Sequence, residues 1–115
     1  MAIRTFQITS YKIRLGYRMS ATFGVTTLKA LGIISCPGPD DQRVIVYFLH
    51  KESQVPNPAV TNNGKWGNIF LPKELLPVWM EMLRNEKPLY GDINTEIPKL
   101  TNISTSHEPV GEEEF

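Results

Sequence analysis

Apolar and polar side chains alternate along much of the first half of the chain, which is the pattern of β-strands with one buried face. Across residues 11–17 the odd positions hold apolar or aromatic side chains, namely Tyr11, Ile13, Leu15 and Tyr17. The even positions hold Lys12, Arg14 and Gly16. Because successive side chains of a strand point to opposite faces, this segment is predicted to be a strand with a buried face and a solvated, basic face.

Further strand signals follow it. Residues 28–34 form an apolar, glycine-interrupted run, and Val44–Leu49 are six consecutive β-formers. Such a run is typical of a central strand with both faces covered. The dipeptide Asn63-Gly64 predicts a type I′ hairpin turn, because this turn needs positive φ at both central positions.

Only one segment repeats its apolar residues at helical spacing. The repeating residues are Leu75, Leu76, Trp79, Met82 and Leu83. The helix is predicted to begin near Lys73 or Glu74, because Pro77 is tolerated only within about the first turn. It should end near Asn85, since Pro88 disfavours a helical residue before it. We expect the apolar side, including Leu75 and Trp79, to face the sheet.

These elements predict a single α+β domain over residues 1–94, with an antiparallel sheet of four to five strands and one helix packed across it. Val44–Leu49 would be the central strand. Residues 95–115 are polar and are predicted to be an extended or disordered acidic tail. The run Glu112–Glu114 has two interpretations: a solubilising tail, or an anionic cover that competes with a partner for the basic half.

Composition narrows the setting of the protein. No stretch approaches the roughly 18 to 20 apolar residues of a membrane span, and the N-terminus lacks the apolar run of a secretory signal. We therefore expect a cytoplasmic protein that does not enter membranes. Cys36 is the only cysteine, so an internal disulfide is excluded. It is interpreted as an inert small hydrophobe, with a reactive thiol as the alternative.

The net charge of zero hides an uneven distribution. Residues 1–51 carry seven basic and two acidic side chains, a net charge of +5, and residues 52–115 carry five basic and ten acidic, a net charge of −5. The first half is therefore the half that would face an anionic partner.

Candidate nucleic-acid-binding residues lie in this first half. They are Lys12, Arg14, Arg18 and Lys29. Cations two residues apart on one strand face are about 6–7 Å apart, close to the phosphate spacing of an extended single strand. The alternative is a solvated strand whose cations discourage edge pairing. Tyr11 and Tyr17 are predicted on the opposite face, so Trp66 is the remaining candidate for an exposed aromatic residue.

No pattern indicates catalysis, a metal or a cofactor. His50 and His107 lie 57 positions apart without cysteines or carboxylates at metal-ligand spacing. Ser104, His107 and Glu108 are triad residue types, but neighbouring residues on a polar tail do not hold a fixed geometry. We therefore expect a protein that is not an enzyme and has no small-molecule substrate.

The order of elements resembles that of the PC4-like and whirly-type single-stranded DNA-binding domains. The resemblance depends on several strands followed by Asn68–Leu76 and a helix that carries Trp79. It implies a curved, four-stranded antiparallel sheet crossed by a helix, and a dimer that binds single strands on the sheet. Lys12, Arg14 and Arg18 would contact the phosphates. The segments at residues 83–90 and 108–112 also resemble a small bacterial family of unknown function.

Two functions remain open. The first is a small, non-enzymatic protein-interaction module that binds another protein or itself, since a two-fold dimer can place each basic half against an acidic half. The second is single-stranded nucleic-acid binding through the basic face of the N-terminal strands.

Overall fold

The computed structural model describes residues 3–23, 26–50 and 55–105. Over these residues the chain forms eight strands and one α-helix: β1 (Ile3–Ile8), β2 (Lys12–Phe23), β3 (Thr26–Pro37), β4 (Arg43–Leu49), β5 (Ala59–Thr61), β6 (Trp66–Pro72), α1 (Leu76–Asn85), β7 (Leu89–Asn94) and β8 (Asn102–Thr105). Short 3-10 turns lie at Pro39–Asp41, Lys73–Leu75 and Pro98–Leu100.

The strands form two sheets. The larger sheet has the order β2-β3-β4-β6-β5, and the smaller one has the order β1-β7-β8. The smaller sheet is antiparallel, whereas β4 and β6 of the larger sheet are parallel. The α+β class is therefore confirmed, but the antiparallel sheet predicted for it is wrong in detail. The larger sheet is mixed, because β5 runs antiparallel to β6 and the hairpin inserts β6 between β4 and β5.

The main core lies between the larger sheet, the smaller sheet and the helix. It includes Val44, Val46 and Phe48 of β4, Phe6 of β1 and Ile93 of β7. The prediction for residues 44–49 is confirmed, because β4 lies between β3 and β6 and only Tyr47 among these residues is not buried.

The helix ends at Asn85, as predicted from Pro88, but its α-helical part begins at Leu76, two to three residues later than predicted. The 3-10 turn Lys73–Leu75 leads into α1, which ends at Asn85. Trp79 packs edge-to-face on Phe48, with ring centroids 6.3 Å apart, and so belongs to the core as predicted. The prediction that Leu75 faces the sheet is wrong: its side chain is 39% exposed, because it precedes the first α-helical turn.

The buried face predicted for β2 is wrong at its outer end. Leu15 is 62% exposed and Tyr17 is 79% exposed. The pairing of β2 with β3 shifts register after Leu15, so that residues 16–18 form a bulge. The Nε2–H of the buried His50 donates a hydrogen bond to the Tyr17 carbonyl oxygen at 2.6 Å. This bond holds the bulge, and the alternation of faces does not continue through it.

The hairpin turn between β5 and β6 has the predicted geometry. The φ angles of Asn63 and Gly64 are 57° and 84°. The backbone N–H of Lys65 donates to the Asn62 carbonyl oxygen at 3.1 Å. Positive φ at both central positions confirms the turn signal.

The smaller sheet extends beyond residue 94, where we placed the end of the domain. Strand β8 pairs with β7, and the hydroxyl of the buried Thr101 accepts the backbone N–H of Asn94 at 3.2 Å. The start of the predicted acidic tail is therefore part of this sheet, and residues 106–115 lie outside the described part. Among the described residues, no helix is long and apolar enough to cross a membrane.

Two matched leucine substitutions test this assignment of the faces. Leu49 is fully buried, so Leu49→Ala is expected to lower the free energy of unfolding by about 2–5 kcal/mol. Leu15→Ala removes an exposed side chain and should change it by no more than about 0.5 kcal/mol. Urea denaturation followed by tryptophan fluorescence measures both changes. Equal losses would show that the buried face of β2 is as the alternation alone predicts.

Candidate nucleic-acid interface

The parallel register of β4 and β6 determines which side chains lie together on the side of the larger sheet that faces away from the main core. The register pairs are Arg43 with Trp66, Ile45 with Asn68, and Tyr47 with Phe70. Val44, Val46 and Phe48 alternate with the β4 residues and point into the main core. The three pairs therefore share the opposite side, which we call the outer face.

The basic residues of β2 lie in line with these pairs across the larger sheet. Lys12 lies opposite Ser35, which lies opposite Ile45, and Arg14 lies opposite Ile33, which lies opposite Tyr47. Lys12, Arg14 and Arg43 line an open cavity of about 580 Å³ over this face, which we call the sheet groove. Five side chains with hydroxyl groups also line the groove: Ser20, Thr22, Ser35, Tyr47 and Thr61.

Arg43 is held at one end of the groove. Its guanidinium carbon lies 4.9 Å from the centroid of the Trp66 ring, and its Nη2 is 3.3 Å from an Asp41 carboxylate oxygen. Trp66 in turn donates its Nε1–H to the Asp41 carbonyl oxygen at 3.0 Å. The ion pair is exposed, with about a third of the Arg43 side chain accessible, so it is weak. Arg43 is thus oriented by its neighbours and remains accessible to an anion.

The floor of the groove is neutral and hydrogen-bonded. Asn68 is only 1% exposed, and its amide donates to the Ala59 carbonyl and to the Thr61 hydroxyl at 3.2 Å and 3.0 Å. The Tyr47 hydroxyl donates to the Asn68 side-chain oxygen at 3.4 Å, and the Tyr47 ring stacks on Phe70 with centroids 5.2 Å apart. The Tyr47 hydroxyl is protonated at neutral pH, as any tyrosine with a pKa near 10 is, and burial raises its pKa further.

Three of the five site residues predicted from the sequence come together in this groove. Lys12 and Arg14 are exposed at its rim, and Trp66 is half-buried in it. Arg18 lies in the bulge, with its guanidinium 5.6 Å from the Tyr17 ring centroid, and does not line the groove. Lys29 lies farther along the hairpin, where its ammonium donates to the Ser20 hydroxyl at 2.7 Å.

The sequence reasoning missed Arg43, Tyr47 and Asn68. Arg43 and Tyr47 alternate along β4, but the apolar run between them indicated a strand covered on both faces. Asn68 enters the sequence analysis only as the first residue of the segment Asn68–Leu76, with no role in a site. A search for the odd positions of β4 would have found a basic and an aromatic residue on one face, although not the residues opposite them.

The described part of the chain is basic. It carries eleven lysines and arginines and seven aspartates and glutamates, a net charge of +4. The remaining residues hold Lys51 and five glutamates, a net charge of −4, and the glutamates are Glu52, Glu108, Glu112, Glu113 and Glu114. Among the residues that the structure describes, no aspartate or glutamate lines the sheet groove, and Asp41 pairs with Arg43 at its end. The groove is therefore a surface that attracts anions.

In the part of the chain that the structure describes, Cys36 and the titratable side chains give no reactive thiol and no metal site. Cys36 is fully buried, and burial raises the pKa of its thiol to about 12, so it is a neutral core residue. Within residues 3–23, 26–50 and 55–105, no cluster of three histidine, cysteine or acidic residues could hold a metal ion. A cavity of about 830 Å³ beside the end of α1 is lined by Arg84, Glu86 and Lys87, whose charges have both signs.

Comparisons with protein-family models, with curated proteins and with solved structures find no match for this chain. The resemblance to single-stranded DNA-binding domains and to a small bacterial family thus stays a prediction. The sheet implied by the former is antiparallel throughout, whereas the larger sheet of this protein is mixed. The function is therefore inferred from the geometry and charge of the sheet groove.

Proposed function

We propose that this protein is a non-enzymatic binder of single-stranded nucleic acid, which lies in the sheet groove with its phosphates against Lys12, Arg14 and Arg43. One observation carries this proposal: three cations from two strands line one open groove, and the carboxylate of Asp41, which pairs with Arg43, is not among the described lining residues. Lys12 and Arg14 are two residues apart, hence about 6–7 Å apart along β2, which suits successive phosphates of an extended strand.

The hydroxyl groups between the cations support the same ligand. Ser35 and Thr61 are half-buried and line the groove on the outer face. A nucleic-acid backbone in the groove would therefore meet their hydroxyl groups. Hydroxyls and cations of this kind position a nucleic-acid backbone without reading its sequence. We therefore expect binding that depends little on base sequence.

The aromatic side chains of the groove are largely covered by neighbouring side chains. The Tyr47 and Phe70 rings face each other, and Arg43 covers one side of the Trp66 ring. Base stacking, which adds about 1–3 kcal/mol per base where flat ring faces are open, should therefore contribute less than the phosphate contacts. Affinity is expected to be modest and strongly dependent on salt.

A charge reversal in the groove tests the proposal. Arg14→Glu should weaken binding of a fluorescent single-stranded oligonucleotide at least about tenfold at about 50 mM salt, because it replaces a phosphate contact by a repulsion. Fluorescence anisotropy measures the dissociation constant. For the unchanged protein, a plot of log Kd against log salt should have a slope of about 2, as three contacts to a single strand predict.

Arg84→Glu is the matched control. Arg84 is an exposed residue of α1 outside the sheet groove, so reversing its charge should leave the affinity nearly unchanged. An equal effect of both reversals would show attraction by net charge alone. If the unchanged protein does not bind at about 50 mM salt, where phosphate contacts are strong, the basic strand is only a solvated face.

Binding to a protein, including a second copy of this chain, is the other candidate. The observation that favours it is the exposure of Leu15 and Tyr17 on β2, which is an edge strand of the larger sheet. Exposed apolar residues on a long edge strand favour pairing with another chain, although the cations of β2 oppose it.

Sedimentation separates self-association from the first candidate. If β2 pairs with a second copy, the protein should be a dimer at tens of micromolar, and Tyr17→Ser should shift it towards the monomer. Ile97→Ser changes an exposed apolar residue in the segment after β7 and should have no effect. A monomer at both low and high salt would contradict self-association.

A further inference from the structure

We propose that residues 106–115, the C-terminal acidic segment, dock in the sheet groove of their own chain and compete with nucleic acid for it. This inference rests on the proposed function and adds its regulation. In the absence of nucleic acid, the part of the chain that follows β8 occupies the groove.

Charge complementarity is the first argument. The segment carries Glu108 and Glu112–Glu114 and no lysine or arginine. The groove presents Lys12, Arg14 and Arg43, and its lining within residues 3–23, 26–50 and 55–105 includes no carboxylate. The net charge of +4 on the described residues is balanced by residues outside them, and the whole net charge of −4 lies in this segment because Lys51 and Glu52 cancel.

The pairing of the strands limits the distance between the end of β8 and the groove. Thr105 at the end of β8 lies opposite Leu89, which lies opposite Ile8. Two strand spacings are about 10 Å. Ile8 is four residues before Lys12, which adds at most about 14 Å. The Cα atoms of Thr105 and Lys12 are therefore no more than about 24 Å apart.

The segment is long enough to cross that distance. Glu112 is seven residues beyond Thr105, and seven residues span up to about 24 Å. Glu113 and Glu114 extend the reach by a few ångströms each. The glutamate run can thus meet the Lys12 end of the groove without any change in the paired strands.

The expected strength follows from tethering. A tethered competitor weakens the binding of a ligand by a factor. That factor is one plus the ratio of the competitor's effective concentration to the competitor's own dissociation constant. Effective concentrations of short flexible tethers are about 1 mM, and three or four exposed ion pairs of at most about 1 kcal/mol each give a dissociation constant of about 1 mM or weaker. Competition should therefore weaken nucleic-acid binding up to about twofold at low salt, and less as salt rises.

The test compares four forms of the chain in one titration. They are the full chain, the chain ending at Val110, the full chain with Glu112→Gln, Glu113→Gln and Glu114→Gln, and a control with Glu74→Gln, Glu81→Gln and Glu96→Gln. The control removes the same charge from exposed positions outside the groove. The probe is a fluorescent thymidine oligonucleotide of about 15 nucleotides, read by anisotropy at about 50 and 200 mM salt.

The truncated chain and the Glu112–Glu114 variant should bind up to about twofold more tightly than the full chain at the lower salt, with a smaller gain for the control. Amide chemical shifts without nucleic acid give a second reading. Between the full chain and the Glu112–Glu114 variant, the shifts should change around Lys12, Arg14 and Arg43, independently of protein concentration.

The outcomes distinguish this inference from the function on which it rests. If the truncated chain binds and the full chain binds equally well, with unchanged groove shifts, the competition is refuted and the function stands. An equal gain for the control refutes docking in favour of net charge. Groove shifts that depend on protein concentration refute an occupant from the same chain in favour of a second copy. If no form binds the oligonucleotide, both proposals fail.

Discussion

The parallel pairing of β4 with β6 is the constraint on which the rest of the structure depends. The chain leaves β4, returns along β5 and enters β6 through the turn at Asn63-Gly64, so that β6 fills the space between the two. This insertion gives β4 a paired neighbour on each side and makes it the centre of the larger sheet. It also places Arg43 and Tyr47 beside residues that are more than twenty positions away in the sequence.

The same pairing gives the two faces of β4 different surroundings. One face of β4 supplies Val44, Val46 and Phe48 to the main core, where burial of apolar surface stabilises the fold. The other face holds a hydrogen-bonded floor around Asn68, with cations at the rim. The outer face also carries a second cluster of buried apolar residues, Leu28, Ala30, Leu49 and Phe70, so the larger sheet is packed on both faces. The cations of the groove therefore lie over a sheet that is already ordered by its own packing.

Features that depend on neighbours in the sequence were predictable, and those that depend on distant pairing were not. The end of α1 at Asn85 follows from a nearby proline, and the exposure of Lys12 follows from alternation. The exposure of Tyr17 depends on a bulge held by His50, 33 positions away. The groove was only half predictable for the same reason: Arg43 joins it through the register of β4 with β6, and no local pattern shows that register.

The central claim is that nucleic acid contacts the outer face of the larger sheet. Titration of isotope-labelled protein with a short single-stranded oligonucleotide, followed by amide chemical shifts, tests it most directly. We expect the largest shift changes at Lys12, Arg14, Ser35 and Arg43 and at the start of β6, with little change along α1 and the smaller sheet. Changes centred on α1 or on β1, β7 and β8 would contradict the account.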